Sequence, residues 1–399
     1  MLQLDAVETV ALGGLALLGG YALCRAIPFL RRYNIPEPVV GGLVVALIVL
    51  FAHRQGTTLF ELDTSLQTPL MVAFFTTLGV NASISLMRVS GRQVGIFLAL
   101  ATGFAVLQNV IGLGVASLFD LHPLFGVLVG SATMAGGPAT GLAFAPLFEE
   151  AGLVGAESIA ITSAMAGIVA GGLIGGPAAT VLIRRWRLKT PGDHPVEVAD
   201  PTEIVLEPGQ SEAQREFGAL KSIVFILVAM WLGAWIGKGF AALGLTLPAY
   251  IGAMLVGAAV RNIDDVTGWI GLSVPTVELI GNVSLALFLS IALMNLKLWE
   301  LAGMAVPLAF NLFVQAAAVV AFCVVVFRAM GKDYDAAVMG GGFVGFMLGT
   351  SANAIAVMRT LVLRYGSAPR AFLVAPLVGA FFIDFSNALI ITGFMNFLK

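Results

Sequence analysis

Charge is scarce in this chain. Of its 399 residues, 21 are Lys or Arg and 23 are Asp or Glu, 11% in all, where a soluble globular domain carries about 25%. So little charge cannot cover a water-facing surface of this size, which excludes a soluble enzyme or a solvent-exposed binding module. Cysteine is nearly missing: Cys24 and Cys323 both sit inside apolar runs, so they read as packed thiols, and no disulfide or metal framework is expected. Histidine is as rare, with His53, His122 and His194 all in loops and none in a cluster. HExxH, GxSxG and the P-loop lysine motif are absent, so the enzyme classes have no catalytic group in their favour. A basic leader is lacking too. The opening MLQLDAVETV is acidic and has no small-residue cleavage signal, so the first hydrophobic run is expected to stay as a span. The net charge of -2 identifies no partner, and nucleic acid is not expected.

What fills the chain instead is apolar sequence, 59% hydrophobic, in recurring runs long enough to cross a hydrocarbon core of about 30 Å as helices. The expected fold is an all-α polytopic membrane protein. Hydropathy, with glycine, proline and charge as punctuation, predicts spans near 7–30, 38–52, 68–87, 94–119 and 157–183, then near 219–241, 247–260, 275–296, 302–328 and 371–396. Residues 184–220 are rich in charge, proline and glycine and read as a linker between residues 1–183 and 221–399. Arg31, Arg32, Arg88, Arg92, Arg184, Arg185, Arg187, Lys189, Arg261, Arg328 and Lys332 fall on one side of ten such spans. The positive-inside rule makes that side cytoplasmic, with the linker, and puts both termini outside.

The two parts resemble each other at a spacing of about 210 residues: Pro38 parallels Pro248, Gly42 Gly252, Asn81 Asn295, Gly130 Gly340, Thr140 Thr350 and Gly167 Gly379. Five spans per repeat is an odd number, so the second repeat must be inverted, a signature of secondary transporters. Two stretches, 123–150 and 334–366, are apolar but broken by glycine, and they read as re-entrant hairpins entering from opposite sides. Irregular backbone at membrane depth is tolerated only where protein buries it or where it lines a wet cavity. In TMAGGPATGLAFA, Gly136, Gly137, Pro138 and Ala139 interrupt the helix and Thr140 with Gly141 can begin the next. A helix start there offers free N–H groups to an anion. In the second hairpin Gly349, Thr350 and Ser351 play the corresponding part, with Asn353 one turn on.

Asp384, in AFFIDFSNALIITG, is the one carboxylate near the middle of a confident span, where an ionisable group is expensive and by default functional. It is a candidate cation ligand or proton acceptor, with Ser386 or Asn387 nearby. Asn81, Asn109, Asn282 and Asn295 are mid-span amides that either bind a cation or substrate or hydrogen-bond between helices. Two small-residue stripes, Gly167, Gly171, Gly175 and Gly341, Gly345, Gly349, suit close helix packing. No arginine sits at mid-depth in a confident span; Arg359 and Arg364 come closest. GGGFVG at 340–345 matches GxGxxG but follows no soluble strand, and is discarded as a dinucleotide site.

The segments YNIPEPVVGGLVVAL, PLMVAFFTTLGVNASI, GNVSLALFLSIALMNLKLWELA, GKDYDAAV and FLVAPLVGAFFIDFSNALI resemble, in order and over essentially the whole chain, the bacterial sodium/glutamate symporter family. The resemblance implies two inverted five-helix repeats, each with a re-entrant hairpin, and a homodimer in the lipid bilayer of the inner membrane. It also implies uptake of glutamate coupled to Na+, which acts as coupling ion and not as a prosthetic group, by an elevator-like movement. The hairpin tips would hold the substrate, and Asp384 and Asn387, with Asn81 and Asn295, the cation. The chain departs from the family where a histidine usually stands in each hairpin, Pro138 standing in the first and Gly340, Gly341 and Gly342 running on in the second, so a sodium- or proton-coupled carrier of another small organic anion, such as a 2-hydroxycarboxylate or dicarboxylate, is the alternative.

Overall fold

The computed structural model describes residues 2–32, 35–190, 212–242, 247–268, 270–301 and 303–398. Apolar sequence at this density leaves the backbone only its own groups as hydrogen-bond partners, and helices satisfy them within one segment. The elements in order are α1 Ala6–Ala26, α2 Pro28–Arg32, α3 Glu37–Arg54, α4 Gln67–Val80, α5 Ile84–Leu118, α6 Pro123–Val127, α7 Gly137–Glu150 and α8 Ala156–Arg185. Then follow α9 Glu212–Ala242, α10 Tyr250–Thr267, α11 Val274–Met294, α12 Ala305–Ala329, α13 Tyr334–Met347, α14 Ser351–Tyr365, α15 Pro369–Leu377 and α16 Ile383–Leu398. A short parallel pair, β1 Leu2–Leu4 with β2 Phe60–Leu62, ties the start of the chain to the loop after α3. Helix starts are capped where side chains allow: Glu8 N–H donates to Asp5 Oδ1 at 2.8 Å, and Asp5 N–H to Glu8 Oε2 at 3.0 Å, a reciprocal box that opens α1.

Among the described residues seven helices are long and apolar enough to cross a membrane: α1, α3, α5 from Gly91 onward, α8, α9 from Glu216 onward, α11 and α12. The other expected spans take different forms. The run at 68–87 stops as a helix at Val80, the run at 247–260 extends into the charged turn Arg261–Asp265, and the run at 371–396 is divided by a π-helical turn, Val378–Phe382. The expected linker is also shorter at both ends, because α8 runs to Arg185 and α9 begins at Glu212; residues 191–211 lie outside the described residues.

Packing divides the molecule into two bodies that do not follow the two sequence parts. α1, α3, α4, α9, α10 and α11 pack on one another, while α5–α8 and α12–α16 form the second body, so each half of the chain contributes its first three long elements to one and its remainder to the other. The second body is sealed by glycine. The stripe Gly167, Gly171, Gly175 on α8 faces the stripe Gly341, Gly345 on α13: a Cβ at Gly171 would stand 3.3 Å from Gly345 Cα, and one at Gly175 2.9 Å from Gly341 O. Backbones this close gain dispersion contacts that lipid cannot supply.

Candidate functional site

Both broken stretches fold as two half-helices joined by irregular backbone. After α6, a π-helical turn, Leu128–Ala132, carries Gly130 out of helical geometry (φ -88°, ψ -127°), which frees main-chain groups at depth. Side chains from the surrounding helices satisfy them. Ser131 N–H donates to Asn109 Oδ1 at 2.8 Å, Asn311 Nδ2 donates to Val129 O at 2.8 Å, and Asn387 Nδ2 donates to Ser131 O at 2.9 Å. Thr133 Oγ1 closes the turn on Leu128 O at 2.8 Å. α7 then begins at Gly137, whose φ of +66° favours glycine, with Pro138 directly behind it, where a missing N–H costs nothing.

The second break is built the same way. α13 ends at Met347, whose carbonyl accepts from Gln108 Nε2 at 2.6 Å, and α14 begins at Ser351 with Thr350 Oγ1 capping the Asn353 N–H at 3.4 Å. Ser351 Oγ donates to Gly379 O at 3.0 Å, in the π-helical turn that divides the last span. The two tips meet. A Cβ on Gly137 would lie 3.0 Å from Thr350 Cγ2 and 3.3 Å from Gly349 O, so the starts of α7 and α14 converge.

They converge on a cavity of about 800 Å³ between the two bodies. From the second body Gly136, Pro138, Ala139, Thr140, Thr350, Ser351 and Asp384 line it; from the first come Tyr21, Phe74, Phe75, Asn81 and Asn282. Glu37 and Asp384 are the only charged side chains among its described lining residues, and no Lys or Arg is there. Asp384 is half-buried and has no hydrogen bond or ion pair among the described residues. The aromatic wall is held rigid by Tyr250, buried and stacked on Phe75 with ring centres 3.7 Å apart. At the outer edge of α10, beyond the expected span, Asp264 is pushed up by partial desolvation. Backbone N–H donors from Ile270, Gly271 and Leu272, and the charge of Arg261, outweigh this and hold its carboxyl below the usual range.

The remaining sequence candidates stand elsewhere. Gly137, Gly141 and Gly349 form the tips without lining the cavity; Gly141 is backed by Thr133 and Ala160. Asn353 is 1% exposed and turned inward, its Nδ2 donating to Ile168 O at 3.0 Å and Gly345 O at 3.2 Å. Asn387 braces the first break. Asn295 is exposed and lines a separate cavity of about 370 Å³ with Glu149, Glu157, Lys297 and Glu300. Arg364 lies over the Tyr365 ring, and neither it nor Arg359 lines the main cavity. Sequence reading missed Gln108, Ser131, Asn311 and Gln315; a signal was available in Asn311 and Gln315, polar amides four apart on one face of an otherwise apolar helix.

A model of the sodium/glutamate symporter family matches residues 2–367. The chain belongs to that family. Sodium/glutamate symporters of Escherichia coli (strain K12) and Shigella flexneri are each 42% identical to it over 393 residues, 98% of this chain and 97% of theirs. The symporter of Haemophilus influenzae is 40% identical over 385 residues, 96% of this chain and 95% of its own. Membership in a symporter family makes this chain a transporter and not an enzyme. In these terms the cavity between the bodies is the candidate transport site of a sodium/glutamate symporter family member.

Proposed function

We propose that this chain is a sodium-driven glutamate symporter that works by alternating access, its second body carrying the site past the first. Coupling ion and solute follow from family membership. One observation carries the site: the starts of α7 and α14 converge on a cavity that holds Asp384 and, among its described lining residues, no basic side chain. An anion there is held by free helix N–H groups and by the hydroxyls of Thr140 and Thr350. Sodium at Asp384, with Asn81 opposite, balances its charge. Each ion relieves charge that the other leaves uncompensated, so binding of one favours the other, and this mutual dependence links the two fluxes.

In this reading residues 1–183 and 221–399 are inverted five-helix repeats with ten spans in all, and 123–150 and 334–366 are their re-entrant hairpins. The linker is cytoplasmic, both termini are periplasmic, and the protein is a homodimer in the inner membrane. The two-body packing supports an elevator-like movement, because the helix starts, the hydroxyls and Asp384 all belong to one body and would travel together. Purified protein in liposomes tests the function. Glutamate should accumulate only with an inward sodium gradient, and equal accumulation after replacing sodium by choline would overturn the coupling. Pro138 on the cavity wall favours one second reading, transport of a different small organic anion. Competition by citrate or malate stronger than by glutamate would establish it.

A further inference from the structure

Six polar side chains lie inside the second body, off the cavity lining, and all are shut away from solvent: Gln108, Asn109, Ser131, Asn311 and Gln315 are 0% exposed and Asn387 1%. Their amide N–H groups are used, apart from Asn109 Nδ2. Asn311 and Asn387 donate to the broken backbone at Val129 and Ser131, Gln108 to Met347 O, and Gln315 Nε2 to Gln108 O at 2.9 Å. Apart from Asn109 Oδ1, which accepts from Ser131 N–H, their oxygens are not: Gln108 Oε1, Asn311 Oδ1, Gln315 Oε1, Asn387 Oδ1 and Ser131 Oγ have no hydrogen bond. Buried acceptors left without partners are costly, and five of them stand together beside one helix break.

A closed set of amide and hydroxyl oxygens beside an unwound helix segment is the donor set of a hard monovalent cation. Charge for such an ion is at hand: Asp384 precedes Asn387 by three residues on α16, on the same helix face, and has no partner among the described residues. We propose that these oxygens bind a sodium ion, distinct from the one in the cavity, with Ser131, Asn311 and Asn387 at its centre and Gln108 and Gln315 at its flank. This rests on the sodium-symport reading. Occupied, the site fixes the first helix break, and with it the tip at Gly136 to Thr140, before glutamate arrives.

Ser131→Ala tests it, because Ser131 Oγ has no protein partner to lose. If the cluster holds only water or nothing, the variant should match the wild type in its sodium response, or gain slightly in thermal stability from losing an unsatisfied group. With an ion present, the sodium concentration for half-maximal glutamate uptake should rise roughly tenfold. The steepness of the sodium dependence should fall, and the rise in Tm produced by sodium over potassium without glutamate should shrink. Unchanged affinity and steepness overturn the site. Wild-type uptake in the same liposomes separates the two readings, since its failure sinks sodium symport while an unaltered Ser131→Ala sinks only this site. Should Ser131→Ala not fold, sodium titration of the wild type and of Asn387→Ala decides. Stabilisation of the wild type by sodium over potassium that shrinks in Asn387→Ala, whose side chain lies off the cavity, supports the buried site, and its absence from the wild type or its persistence unchanged in Asn387→Ala overturns it.

Discussion

Asp384 and Asn353 show how differently two polar residues can serve the same break. Asp384 faces the cavity with an uncompensated carboxylate, a costly arrangement at depth unless a cation joins it. Asp384→Asn keeps the shape and removes the charge, so the sodium requirement for uptake should rise at least tenfold while the protein still folds. Unchanged sodium dependence would take Asp384 out of the site. Asn353 faces away and bonds two carbonyls, so Asn353→Ala should lower stability by about 1–2 kcal/mol, read as a lower Tm, before any effect on affinity. Asn295→Ala, at an exposed helix end, should leave stability within about 0.5 kcal/mol and transport unaltered. Sequence brought all of these residues to attention as polar groups in apolar runs. It could not separate them, because position along a helix does not say which way the side chain points or which element lies opposite. Asp384 was legible since a mid-span carboxylate has few structural uses. The amides were not, since binding a cation and bracing a carbonyl call for the same chemistry.

At the scale of elements, the helices and both breaks were legible for a physical reason: apolar length, glycine and proline act locally, and nothing in tertiary structure restores a helix across Gly136–Pro138 or Gly349–Thr350. Spans that end early or divide were less so. The π-helical turn at Val378–Phe382 carries no proline or charge at its centre and is marked by contacts from elsewhere, such as Ser351 on Gly379 O. The small-residue stripes were visible, but not that the one on α8 meets the one on α13. That pairing makes a sharp prediction. Gly171→Val would drive a side chain against Asn353 Nδ2, 2.9 Å from the Cβ position, and Leu348 Cβ at 3.1 Å. The α8–α13 seam should open, with a loss of about 1–3 kcal/mol of stability and of uptake together. Gly176→Val on the same helix meets nothing within 4 Å and should be tolerated. If the two variants behave alike in thermal melts, close packing at the seam is not what holds the second body together.

For the whole molecule the division into two bodies was hidden from sequence, because each half of the chain contributes elements to both and no composition change marks their border. In the proposed mechanism that border is where movement would occur. The turn Leu298–Leu301 bridges the two bodies: Trp299 stacks on His53 of α3 with ring centres 3.9 Å apart, and the turn also packs on α8 of the second. The two touch where Gly155 packs on Glu300, a Cβ at 155 standing 3.3 Å from Glu300 Cβ, and where Ser158 Oγ donates to Lys297 O at 3.3 Å. Paired cysteines at 155 and 300 would sit near the Cβ separation a disulfide needs, about 3.5–4.5 Å. The native Cys24 and Cys323 are both buried and free, so they offer an oxidant little competition. If the second body moves as a unit past the first, oxidising that pair should abolish sodium-driven uptake while glutamate binding persists, and reduction should restore transport. A single cysteine at 155, whose backbone φ is +73°, controls for strain at that position. Transport that continues with the cross-link formed would mean that the bodies stay fixed and only the hairpin tips move.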